Sequence, residues 1–138
     1  MKKLFILSVI VLSSVAAMAQ SKVWKNDPAH SRLGFVVKHL TISEISGRFA
    51  DFSVDVTTTK ADYSDAQISV TAKVASIDTD IEARDNHLRS ADFFDAEKYP
   101  VLTFKSIYLK KTGQNEGKLY GNLSFHGITK AVTLDVTY

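Results

Sequence analysis

Strict alternation of apolar and polar residues, repeated in segment after segment, is the feature that most constrains this chain. Over 128–138, Ile128, Val132, Leu134, Val136 and Tyr138 share one face, and Lys130, Thr129, Thr133, Asp135 and Thr137 make the rest polar. Successive strand side chains point to opposite faces, so the pattern specifies a half-buried strand. Ile68, Val70, Ala72 and Val74 repeat it, opposed by Gln67, Ser69, Thr71 and Lys73, as do Leu33, Phe35 and Val37 against Arg32 and Lys38. Leu119, Leu123 and Phe125 form one face of a further strand, with Lys118, Asn122, Ser124 and His126 on the other. Gly121 interrupts that inward face, as glycine does at bulges and barrel corners.

Turn residues punctuate these runs. Gly113, Asn115 and Gly117 mark one turn and Gly127 the next, so the strands they join are expected to be antiparallel neighbours. Two stretches are less regular. Phe49 and Phe52 have opposite parity, which a bulge near Ala50 or Asp51 would reconcile. In 101–110, Leu102, Phe104 and Tyr108 compete for the inward face with Val101, Ile107 and Leu109, and the facing stays open. The strands expected are 23–27, 31–40, 45–58, 66–75, 101–110, 118–126 and 128–138. Only one segment reads as helix: Thr79-Asp80-Ile81-Glu82 has the form of a capping box, followed by Leu88 and Ala91 at helical spacing from Ile81. Pro100 then forces Tyr99 to extend and starts the next strand. Periodicity alone leaves a sandwich and a barrel as alternatives.

The N-terminus has the form of a secretory leader over 1–19, with Lys2 and Lys3, an apolar run from Leu4 to Val15, and Ala17-Met18-Ala19 as the cleavage site. The run is short for a membrane span, and none is expected in the mature chain. Processing would leave one domain over 20–138. It also removes two of the 17 basic residues, leaving 15 against 15 acidic ones and a net charge near zero. The calculated pI of 8.8 therefore belongs to the precursor and does not argue for nucleic acid as a partner. The chain has no cysteine, which removes disulfides, thiolate nucleophiles and thiolate metal sites together.

Four blocks, DPAHSRLGFVVKHL, ISGRF, RDNHLRSADFFDAEKYPVLTFKS and GNLSFHGITKAVTL, make the chain similar to the YceI-like family of secreted bacterial lipid-binding proteins. The third is the most specific, with Arg84, Asp85, His87, Leu88, Arg89, Ser90, Asp92, Phe93, Phe94, Asp95, Tyr99, Pro100, Phe104 and Ser106 in the family's order. The resemblance runs from Trp24 to Tyr138. It implies an all-β, antiparallel, lipocalin-like β-barrel with one short helix, whose interior holds a long-chain amphiphile such as a polyisoprenoid. It implies no catalytic residues and no cofactor. Family members usually continue beyond the last block, so the barrel is expected to be incomplete for want of closing C-terminal strands. The edge beside 128–138 would then be open to dimerisation or strand exchange.

On that resemblance, the channel is expected to be lined by Leu33, Phe35, Val37, Phe52, Val54 and Ile68, and by Val70, Phe104, Leu123, Phe125, Val132 and Leu134. Phe93 and Phe94 would plug the helix against the barrel. Arg84, His87 and Arg89 are candidate contacts for a lipid head group through charge-assisted hydrogen bonds, but the favoured reading is that Arg84 and Asp85 pair with neighbouring loops and pin the helix. The localisation expected is periplasmic or secreted.

Other functions have weaker support. His30, His39, His87 and His126 contain no i, i+2 or i, i+4 pair, so no metal site is expected. A histidine-dependent enzyme acting on a lipid-like substrate would recruit Ser31 beside His30, or Ser124 beside His126, with Asp85 as orienting carboxylate. Strand neighbours point to opposite faces, however, and no G-x-S-x-G elbow occurs. A solid-core structural envelope protein is the remaining alternative.

Overall fold

The computed structural model describes residues 21–40 and 42–138, and the leader expected over 1–19 lies outside them. Among the described residues nine strands form in chain order: β1 (Lys22–Lys25), β2 (Leu33–His39), β3 (Ser43–Phe49), β4 (Phe52–Thr58), β5 (Gln67–Lys73), β6 (Ile77–Asp78), β7 (Val101–Lys111), β8 (Glu116–Phe125) and β9 (Ile128–Thr137). One helix, α1 (Glu82–Arg89), lies between β6 and β7, and a 3-10 turn at Val74–Ser76 joins β5 to β6. All ladders are antiparallel. They build a six-stranded sheet in the order β1-β4-β5-β7-β8-β9 and a three-stranded sheet in the order β2-β3-β6. Among the described residues no ladder closes the two sheets into a barrel, and β9 is an edge.

The seven expected strands become nine because two segments change sheet. The expected bulge at Ala50 and Asp51 is instead a corner, where the chain leaves β3 in the small sheet and enters β4 in the large one. Its antiparallel partner turns at the same level, passing from β5 through the 3-10 turn into β6. Backbone bonds hold the two corners together: Ala50 N–H donates to Ser76 O at 3.0 Å and Lys73 N–H to Asp51 O at 2.9 Å. Asp51 N–H donates to Ser76 Oγ at 3.0 Å. Phe49 (7% exposed), Ala72 (1%) and Ile77 (1%) form a buried apolar cluster at this corner.

The ambiguous facing of 101–110 has a structural cause. The register of β7 against β8 shifts between Ser106 and Tyr108. Phe104 and Ser106 are buried ahead of this bulge, and Leu109 turns inward after it, so each parity is correct for half of the strand. The β5 to β7 ladder ends beside the bulge, where the Ile68 N–H donates to Ser106 Oγ at 2.7 Å. Gly121 lies opposite Ser106, and a Cβ there would fall 2.4 Å from the Phe104 ring and 2.6 Å from Lys105 O.

Carboxylates fasten the connections. The Asp80 backbone N–H and the Arg48 guanidinium, in that order, hold the Asp78 pKa below the usual carboxylate range. Arg48 and Asp78 thereby tie β3 to β6, with Nη2 and Oδ2 2.7 Å apart. Hydroxyls of Thr58 and Thr59 hold Asp65 far below its usual range in the β4 to β5 loop. Asp62, bonded chiefly by the Ser64 N–H, is lowered to about 2.

Two outcomes are expected. Gly121→Ala should destabilise the fold by about 1–3 kcal/mol, because the backbone oxygen at Lys105 cannot yield as a side chain can. An unchanged urea midpoint would contradict this packing. The unfolded chain takes up protons at these aspartates near pH 4 (about the free carboxylate value), whereas the folded chain resists until lower pH. The stability they add at neutral pH is therefore lost as pH falls from about 4 towards 2. Asp65→Asn should flatten that acid limb in a series of denaturation curves; an equally steep limb would remove Asp65 from the account.

Candidate ligand-binding trough

Three adjoining apolar cavities lie on the inner faces of the sheets. The first, of about 330 Å³, is walled by Leu33, Gly34, Phe35 and Phe49 from the small sheet and by Val70, Leu102, Phe104, Leu123, Val132 and Leu134 from the large one. The second, of about 410 Å³, lies under α1, between Phe35, Val37 and Ile45 on one side and Thr79, Arg84, His87, Leu88, Phe93 and Phe94 on the other. The third, of about 350 Å³, is bounded by Phe93, Phe94, Leu123, Phe125, His126, Ile128 and Lys130. Phe35 is common to the first two, Phe93 and Phe94 to the last two, and Leu123 to the first and third. The cavities thus surround a run of rings in which Phe35 and Phe49 have centroids 5.8 Å apart, Phe49 and Phe125 6.5 Å, and Phe125 and Phe94 4.8 Å.

The structure brings together nine of the residues expected in a channel: Leu33, Phe35, Val37, Val70, Phe104, Leu123, Phe125, Val132 and Leu134. Phe52 packs against the corner core and lines a separate recess with Arg32 and Arg48. Val54 and Ile68, half-buried in the β4 to β5 ladder, are absent from the three walls.

The charged motif around α1 builds a wall. Asp85, 6% exposed, accepts from both the Thr79 N–H at 2.9 Å and the Thr79 hydroxyl at 2.6 Å. The expected capping box is thus replaced: Thr79 bonds Asp85 rather than Glu82, and the residue at the helix cap, Ile81, makes no side-chain cap. Ile81 is exposed, as is Ala91, which leaves Leu88 as the apolar contact of that face with the corner core. Arg84 donates from Nε to Thr79 Oγ1 at 2.7 Å and from Nη2 to Thr79 O at 2.6 Å, while still lining the second cavity. Arg89 stands outside the cavity walls, donating to Ala75 O, Ile77 O and Asn86 Oδ1 at 2.8, 2.7 and 2.9 Å. His87 lines the second cavity and meets the Phe93 ring edge-on, with centroids 4.7 Å apart.

Residues considered for catalysis are dispersed among other partners. His30 Nδ1 lies 2.8 Å from Asp27 Oδ2, Ser124 Oγ lies 2.7 Å from Thr129 Oγ1, and His126 meets Tyr99 edge-on at 4.7 Å. The described residues contain no group of three or more His, Asp or Glu side chains placed to hold a metal ion. The described helix is not long and apolar enough to cross a membrane, which says nothing of spans made by strands.

Several wall residues were not among those expected, including Phe49, Leu102, Ile45, Leu88 and Ile128, and one of them is charged. Lys130 pairs with Leu123 in the ladder and has the parity of Val132 and Leu134, so it is a cation on the inner face. That parity is visible in the sequence, as a charged residue in an otherwise apolar series.

Two antiparallel sheets and a helix lining a divided apolar trough define a small, mainly β protein with an apolar recess between its sheets. The chain belongs to the YceI-like family, whose domain model it matches over residues 24–138. It is 34% identical over 132 residues to a UPF0312 protein of Vibrio parahaemolyticus, covering 96% of this chain and 70% of that one. It is 36% identical over 124 residues to a UPF0312 protein of Azotobacter vinelandii, covering 90% and 65%. Among solved structures it resembles Burkholderia cenocepacia BcnA, with a TM-score of 0.74, 30% identity, and coverage of 80% of this chain and 69% of that one. A polyisoprenoid binding domain from Saccharophagus degradans shares the fold at a TM-score of 0.57 and 18% identity, covering 75% and 60%. The chain spans about two thirds of the length of these relatives. The family description and these names state no reaction.

The network around Thr79 generates a prediction. Asp85→Ala leaves a buried N–H without its acceptor and should destabilise by about 2–3 kcal/mol. The loss should concentrate at α1, so amide exchange there should quicken before the β7 to β8 ladder responds; uniform acceleration would show that α1 is not a separable wall.

Proposed function

We propose that the protein binds a long-chain amphiphilic lipid, of polyisoprenoid or fatty-acid type, in the trough between its sheets, and that it carries or sequesters this lipid without altering it. The observation that supports this most directly is the set of three adjoining cavities, walled mainly by aliphatic and phenyl side chains and each in the size range of small-molecule sites. A polyisoprenoid binding domain with the same fold is consistent with this ligand class. A filled sandwich core would leave no such space, which disfavours the solid-core alternative. The leader-like N-terminus supports a periplasmic or secreted location, where a lipid carrier meets envelope membranes.

The energetics suit distributed recognition. Burial contributes about 0.8 kcal/mol per methylene, so a sixteen-carbon tail gains roughly 12 kcal/mol gross before ordering costs, spread across many wall residues. Phe35 and Phe104 face each other across the sheets in the lining of the first cavity, and Arg84 and His87 are the polar side chains besides Thr79 at the second.

Native mass spectrometry of detergent-free protein, followed by organic extraction, tests the reading. A stoichiometric adduct is expected in the wild type, with Phe104→Glu or Phe35→Glu losing it more completely than Arg84→Gln. Equal retention in all three variants, each first shown to be folded by circular dichroism, would overturn the assignment of the trough.

A further inference from the structure

Resting on that reading of the trough, we infer that the ligand is an anionic amphiphile and that Lys130 holds its head group. The polar end would be a carboxylate or a phosphate monoester, bound where the third cavity opens to water, with the tail directed past Leu123 into the first cavity.

The inner face of β9 presents Lys130, Val132 and Leu134 towards the trough, and the ladder sets them beside Leu123, Gly121 and Leu119. The first of these positions breaks an apolar series with a lysine. Lysine does this at low cost only where its stem covers apolar surface while its ammonium reaches solvent. Lys130 is exposed, yet it borders Phe93, Phe94, Leu123 and Phe125. No described carboxylate lies within 4.0 Å of it, whereas Lys118, farther from the β8 to β9 turn in the same ladder, is tied to Asp135 at 2.7 Å. A positive group left unpaired at the rim of an apolar cavity is complementary to a ligand whose charge and tail lie at opposite ends, and a few such groups orient ligands in apolar sites.

The other cations near the trough are already engaged. Arg84 spends Nε and Nη2 on Thr79, and Arg89 spends its nitrogens on Ala75, Ile77 and Asn86. Both serve to build the wall, which leaves Lys130 as the cation on the cavity face with no hydrogen bond or ion pair to another described residue.

The test uses competition of equimolar palmitate, hexadecyl phosphate and neutral palmitamide for delipidated protein at pH 8, read by native mass spectrometry. Wild type should retain at least one anion about tenfold over palmitamide, the order of one charge-assisted hydrogen bond. The anion preferred tells carboxylate from phosphate. Lys130→Met keeps the stem volume and should erase the preference while leaving palmitamide bound as before; Lys130→Arg should preserve it. Lys105→Met, altered between the inward-facing Phe104 and Ser106 and so on the opposite face, should leave it intact. Equal retention of all three probes by wild type, or a preference that survives Lys130→Met, overturns the inference and leaves the trough reading standing. Retention of no probe at all would overturn both.

Discussion

The paired corner is the constraint on which the remaining structure depends. Two antiparallel neighbours, β3 running into β4 and β5 running into β6, leave one sheet for the other at the same level. Ser76 is the hinge of this arrangement: its carbonyl takes the Ala50 N–H, its hydroxyl takes the Asp51 N–H, and it donates to Lys73 O at 2.7 Å. Because both strands turn together, few backbone groups are stranded at the bend, which would otherwise carry a large desolvation cost. Phe49, Ala72 and Ile77 fill the inside of the bend. Away from it, inner-face residues such as Val132 and Leu134 remain partly or largely exposed and the cavities open between the sheets.

Most of the strands were legible because their alternation depends only on each strand having one buried face, a local property. The errors arose where tertiary geometry alters the period. Phe49 and Phe52 look like a bulged strand because a sheet change and a bulge both reset parity, and only the partner strand's simultaneous turn distinguishes them. In 101–111 the two competing faces are both real, separated by the bulge between Ser106 and Tyr108. Thr79 and Glu82 have capping-box spacing, yet Thr79 bonds Asp85 because the turn at Asp80, with φ of +65°, redirects the chain. The apolar walls were legible for the same reason as the strands, while Phe52, Val54 and Ile68 were misplaced because inward parity does not say which part of the interior is solid.

The charged motif spends its hydrogen bonds on fastening the helix. Arg84, Asp85 and Arg89 lie close in sequence to His87, which invites a reading as a head-group clamp. Their hydrogen bonds run instead to Thr79, Ala75, Ile77 and Asn86, fastening α1 to the 3-10 turn and β6. Arginine suits this role, since its planar fork satisfies separate carbonyl oxygens without deprotonating. The helix so fixed carries His87 and Leu88 to the second cavity and starts the loop that places Phe93 and Phe94 between two cavities. A local charge cluster thereby sets the shape of an apolar site some residues away.

That division of labour separates affinity from selectivity in the proposed site. Apolar contacts are non-directional and scale with buried area, so lengthening a tail by one methylene changes binding by only about 0.8 kcal/mol. Rings that meet edge-on or tilted, as those of Phe35, Phe49, Phe125 and Phe94 do, accommodate tails of different branching by small rotations. A trough of this construction discriminates poorly among hydrocarbon chains and gains its selectivity at the rim, where one unpaired cation contributes as much as several methylenes only for a ligand of opposite charge. Binding strength is then a property of the whole inner face, and the choice of ligand class that of very few side chains.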